Sequence, residues 1–117
     1  MKKIKIVLLA ISGLLIASCE SSTIQDITAV VENPNYAVNI SYVMSKNCTS
    51  CHSAAATAGK RKQPYLETYS QVVDATEGSL ICRIEGSCNS IMPPGKKMPS
   101  ATIEMIKKWQ NDQYPEN

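Results

Sequence analysis

The sequence predicts an all-α fold of about four short helices, on three observations. No stretch alternates apolar and polar residues long enough to make a half-buried strand, and no internal repeat is visible. Several segments instead space their apolar residues three and four apart, which lines one face of a helix. Helix punctuation flanks those segments, with Ser or Thr at their starts and Gly or Pro at their ends. The chain has 117 residues, 44% of them hydrophobic, with no Phe and one Trp, which bounds it to one small domain with a thin core.

The first residues lie outside that domain. Lys2, Lys3 and Lys5 precede an apolar run from Ile6 to Ala17, the pattern of a signal peptide over residues 1–18. The run is well short of the roughly 20 residues that span a bilayer as a helix. It ends Leu15-Ile16-Ala17-Ser18-Cys19, which resembles the lipobox of bacterial lipoproteins and implies a lipid-modified Cys19. An ordinary secretory leader cut near Ser18 would instead leave Cys19 as a spare thiol in an oxidising compartment. Loss of Lys2, Lys3 and Lys5 leaves nine basic against ten acidic side chains, so the mature chain carries about −1. No basic tract, nucleotide-binding glycine loop or RNA-binding signature appears, and a nucleic-acid partner is not expected. Residues 19–35 carry Ser, Thr, Gln, Asn and Glu, lack convincing periodicity and contain Asn33-Pro34-Asn35, and they read as a lipid-anchored tether, the alternative being that Ile24, Ile27, Val30 and Val31 pack locally as a short element. Residues 36–117 are the folded domain.

The first helix starts at Tyr36, with Tyr36, Ile40, Val43 and Met44 on one face, and leads into Cys48. Residues 53–62 form a loop with Gly59 and the basic triplet Lys60-Arg61-Lys62. That triplet is either a solvated loop or a source of cations for an anionic group or an acidic partner. Thr68-Tyr69-Ser70-Gln71 has capping-box form, so a second helix begins there and ends at Glu77-Gly78. Ser79 is expected to cap a third helix carrying Leu80, Ile81 and Ile84, which Gly86 stops. Ile91-Met92-Pro93-Pro94-Gly95 is a stiff loop, because each Pro lacks an amide donor and restricts the residue before it. Ser100 then caps the terminal helix, Glu104 suits its positive end, Lys107 and Lys108 its negative end, and Ile103, Ile106 and Trp109 form its apolar stripe.

Chemistry concentrates at Cys48-Thr49-Ser50-Cys51-His52, a C-x-x-C-H run, the attachment sequence of a c-type haem. Two thiols at this spacing add to the two vinyl groups of one haem, and the adjacent imidazole becomes the proximal iron ligand. With Cys19 given to lipid and Cys48 and Cys51 to haem, Cys82 and Cys88 remain and read as a disulfide. Closing so short a loop contributes about 2.4 kcal/mol in the chain-entropy picture. The alternative is two buried free thiols. His52 is the only histidine, so a second histidine ligand from this chain is excluded. A thioether favours ferrous iron, and of the five methionines only Met92 and Met98 lie in the proline-bounded loop.

The order of an apolar helix, Cys48-x-x-Cys51-His52, a middle helical stretch, Met92-Pro93-Pro94-Gly95 and a terminal helix carrying Trp109 resembles small class I c-type cytochromes over roughly residues 36–112. The resemblance implies a cytochrome c-like fold around one covalently bound haem c. It implies Met92 as the distal ligand, with Met98 at an apolar packing position. It implies that the Pro64 carbonyl accepts the imidazole N–H of His52, and that Tyr36, Ile40 or Val43 meets Ile103, Ile106 or Trp109. The function implied is a single-haem electron carrier, not an enzyme, facing the periplasm from a lipid anchor and exchanging electrons with protein partners. Three other readings compete. A thiol-disulfide oxidoreductase would use Cys48 and Cys51, but such a site normally opens a helix after a strand. A zinc module would use Cys48, Cys51, His52 and Cys82 or Cys88, although adjacent Cys51 and His52 sit awkwardly in one tetrahedron. A haem sensor would let Met92 dissociate.

Overall fold

The computed structural model describes residues 30–57 and 63–117. The leader, Cys19, residues 20–29 of the tether and the Lys60-Arg61-Lys62 triplet lie outside the described residues. The fold is all-α, with no strand among the described residues. A π-helical stretch, Tyr36–Ile40, runs directly into α1, Ser41–Asn47; α2 spans Tyr69–Glu77, α3 Leu80–Glu85 and α4 Ser100–Asn111.

The first helical segment begins with a side-chain device. Asn35 is extended, and its side-chain oxygen accepts the Val38 amide at 2.9 Å, while Asn39 Oδ1 accepts the Asn35 amide at 3.0 Å. Pro34 is fully buried. Pro34 and Asn35, in the segment expected to be tether, thus belong to the packed structure, and Val31 before them is half-buried. The helix opens with the wider π winding, the Asn35 carbonyl accepting the amides of both Asn39 and Ile40, and tightens only from Ser41.

At α2 the capping box forms in full, with Thr68 Oγ1 accepting the Gln71 amide and Gln71 Oε1 accepting the Thr68 amide at 3.1 Å. Gly86 closes α3 at φ +76, a left-handed conformation suited to glycine. The two serines expected to cap do not. The Ser79 hydroxyl makes no capping bond, and its carbonyl instead accepts the Arg83 amide. Pro99 occupies the cap position of α4, which puts Ser100 inside the helix and Glu104 beyond its first turn. Glu104 pairs with Lys107 at 3.2 Å, and the same ammonium reaches Glu85 of α3 at 3.2 Å.

One core joins these elements. Ile40, Val43 and Met44 pack with Leu66, with Val72 and Ala75 of α2, with Leu80 and Ile84 of α3, and with Ile103, Ile106 and Trp109 of α4; Met98 closes it. At one end the aromatic rings gather around Trp109. Tyr36 lies at 6.2 Å between centroids, Tyr69 at 6.2 Å edge-on and Tyr114 at 4.9 Å edge-on. The Tyr36–Trp109 pair is the contact expected between the first and last helices. After α4 the chain reverses through Gln113 and Tyr114, both left-handed at φ 63 and 61. That conformation costs about 1–2 kcal/mol per residue. Compensating bonds hold it: the Pro115 carbonyl accepts both Trp109 Nε1–H and the Tyr36 amide at 2.9 Å, Glu116 O accepts the Ala37 amide at 2.9 Å, and Tyr69 OH donates to Tyr114 O at 2.7 Å.

Candidate functional site

The C-x-x-C-H run is shaped by backbone bonds at the end of α1. The Met44 carbonyl accepts the amides of Cys48 and Thr49, and the Cys48 carbonyl accepts those of Cys51 and His52 at 3.0 and 2.9 Å. The five residues thus fold as one tight turn directly continuing the helix, which brings both cysteines and the imidazole to one wall. A second segment braces that wall. His52 O accepts the Leu66 amide at 2.9 Å, and Glu67 Oε2 accepts the Ala54 amide at 2.8 Å.

Between these braces, His52 Nδ1 lies 2.9 Å from the Pro64 carbonyl oxygen. A carbonyl can only accept, so Nδ1 carries a proton, and it is Nε2 that bears the lone pair of the neutral ring. The ring is fixed in both orientation and tautomer.

Cys48, Cys51, His52, Pro64 and Met92 all border one open cleft of about 360 Å³. Met44, Leu66, Leu80, Pro93 and Pro94 supply its apolar walls, with Asn47, Ser50, Gln63 and Ser79 at polar positions. Arg83 is the one charged side chain among the described residues bordering it. Met98 is 6% exposed, packs in the core and is not part of the cleft wall. The two methionines of the proline-bounded loop therefore occupy different environments. The peptide bonds Gln63–Pro64 and Met92–Pro93, whose residues all border the cleft, are both cis.

Burial pushes the Cys48 thiol up to about 11. Cys48 and Cys51 are not bonded to each other, while Cys82 and Cys88 are joined as a disulfide with Cα atoms 5.3 Å apart. No group of three or more His, Cys, Asp or Glu side chains converges among the described residues, so neither Cys82 nor Cys88 completes a set with Cys48, Cys51 and His52. No helix among the described residues is long and apolar enough to cross a membrane.

The sequence singled out Cys48, Cys51, His52, Met92 and Pro64, and the fold brings all five to this cleft; Cys19 lies outside the described residues. Met44 and Leu80 had been visible only as helix-face residues, and Leu66 and Arg83 carried no signal beyond their types. Compared with known proteins, the chain matches no family model, no curated protein and no solved structure.

Proposed function

We propose that this chain is a single-haem c-type electron carrier, held in the bacterial cell envelope by lipid on Cys19 and facing the periplasm, where it exchanges electrons with other redox proteins. The observation that carries the reading is the imidazole of His52, locked on Pro64 at the wall of an apolar cleft that both thiols and Met92 also border. The residues suit a haem: Cys48 and Cys51 would hold it as thioethers, and His52 Nε2 and the Met92 sulfur would hold its iron. Once bound, the haem supplies one-electron chemistry at its iron.

The chain supplies the rest. Pro64 O fixes the ring plane and, by drawing on the Nδ1 proton, strengthens Nε2 as a donor. The soft Met92 sulfur favours the ferrous state, and the apolar walls disfavour the extra charge of the ferric one. A dithiol enzyme fits less well, since its attacking cysteine needs a lowered pKa and burial moves Cys48 the other way. A zinc centre lacks even three converging His, Cys, Asp or Glu side chains among the described residues.

The deciding experiment is a visible spectrum and a haem-stained denaturing gel of the exported protein. A covalently attached haem with a ferrous c-type band is the expected result. Colourless protein holding zinc, or a chain reactive as a dithiol, would remove the carrier reading. Fractionation of a Cys19→Ala variant tests the anchor: the variant should leave the membrane fraction, and an unchanged distribution would count against lipid at that residue.

A further inference from the structure

We infer that Arg83 is a positioning residue for the distal methionine, acting through a clasp that folds the 86–92 segment back onto α3. The inference rests on the haem-carrier reading with Met92 as ligand. Arg83 is bonded to that segment through both its backbone and its side chain. Its carbonyl accepts the Met92 amide at 2.9 Å, which fixes the backbone of the ligand itself. Its guanidinium Nη1 donates to the hydroxyl of Ser90 and to the Ser90 carbonyl at 3.4 Å, two residues before the ligand.

Neighbouring contacts complete the clasp. Cys82, the preceding residue, is bonded through sulfur to Cys88, and its carbonyl accepts the amides of Ser87 and Cys88 at 2.9 and 3.2 Å. Gly86 makes the reversal at φ +76, and a Cβ there would stand 3.3 Å from Cδ1 of Ile91, so the returning strand of the loop lies directly against the turn. Met92 is thus fastened from its N-terminal side by Arg83 and restrained on its C-terminal side by Pro93-Pro94. A thioether is a weak axial ligand, and its retention through changes of iron charge depends on such outer contacts, whose removal typically costs about 10–100-fold.

Arg83 also borders the cleft, so its charge alone could tune the iron, and the variants are chosen to separate the two effects. Arg83→Ala removes both side-chain bonds of the clasp and Ser90→Ala the hydroxyl bond, leaving the one to the Ser90 carbonyl, whereas Arg83→Lys keeps the charge and loses the planar fork that reaches Ser90. In the exported holoprotein we expect Met92→Ala to abolish the near-infrared sulfur-to-iron band of the ferric form. Arg83→Ala should weaken that band and raise cyanide affinity by about tenfold. Ser90→Ala should shift both in the same direction, and Arg83→Lys should fail to restore the parent values.

If Arg83→Ala is not matured, Ser90→Ala decides alone. The positioning role is overturned if Met92→Ala removes the band while Ser90→Ala leaves band and cyanide affinity at parent values, or if Arg83→Lys behaves as the parent. A parent protein with no such band, or one whose band survives Met92→Ala, would overturn the ligand assignment itself, a separate and recognisable failure.

Discussion

The two ends of the molecule are built by different means. At the aromatic end, Trp109 is fully buried between Tyr36, Tyr69 and Tyr114, and the returning C-terminal residues seal it with hydrogen bonds. At the cleft end half-buried Cys48, Cys51, His52 and Met92 are held by backbone bonds and prolines around an open volume, with buried Met44, Leu66 and Leu80 in the same wall. The phenol of Tyr36 shows what the first environment does: burial, helped by the carboxylate of Glu116, holds its pKa above the usual range. The lesson is a division of labour. The closed aromatic packing at one end adds stability, and the other end holds its reactive groups in fixed geometry around an open volume.

Substitutions should therefore separate chemistry from stability. The largest effect belongs to the turn after α1: Cys48→Ala or Cys51→Ala should sharply reduce haem attachment, and His52→Ala should abolish the native spectrum. An unchanged spectrum in the His52 variant would erase the contrast between the ends. Next comes the methionine pair. Met92→Ala should lose the near-infrared band and lower the reduction potential, whereas Met98→Ala should keep the band and lose about 2–5 kcal/mol of stability, as buried methionines do. Reversed results would move the ligand to Met98.

At the other end, Trp109→Ala should cost about 3–5 kcal/mol in denaturant unfolding while leaving the folded protein's spectrum in place. A spectral change of the size seen with His52→Ala would show that the two ends are coupled. The smallest effect sharpens the comparison from the middle: Thr68→Ala breaks the capping box and should cost about 1 kcal/mol with no change at the iron.

Local signals were the legible ones. The capping box at Thr68, the Gly86 stop and the C-x-x-C-H turn each depend on residues within a few positions of one another, and all were readable directly. The all-α class followed from the same short-range periodicities. What the sequence concealed depends on competition or on distance. Asn35 looked like part of a polar tether because Pro34 masks it as a turn, yet it is a good N-cap residue one position before Tyr36. Ser79 and Ser100 had cap chemistry, but Pro99 takes the cap position before Ser100, and Ser79 adopts a conformation that aims its hydroxyl elsewhere. The grip of Arg83 on Ser90 joins residues seven apart across a turn, and no propensity encodes it. The pairing of His52 with Pro64 lay beyond local rules as well, and only a family resemblance suggested it.

The seal at Pro115 has a consequence for the order in which the domain is made. Its carbonyl bridges Tyr36, at the start of the first helical segment, and Trp109, near the end of the last, so the bond that closes the aromatic end links residues at opposite extremes of the fold. Such distant pairings are slow to form, because the intervening loop entropy is lost before any contact is gained. A chain emerging residue by residue during synthesis must then keep its aromatic end unsealed until Pro115 has emerged. Vectorial synthesis thus gives a built-in delay, during which the first helical segment and the cysteine turn that follows it have emerged while the partner that locks them has not.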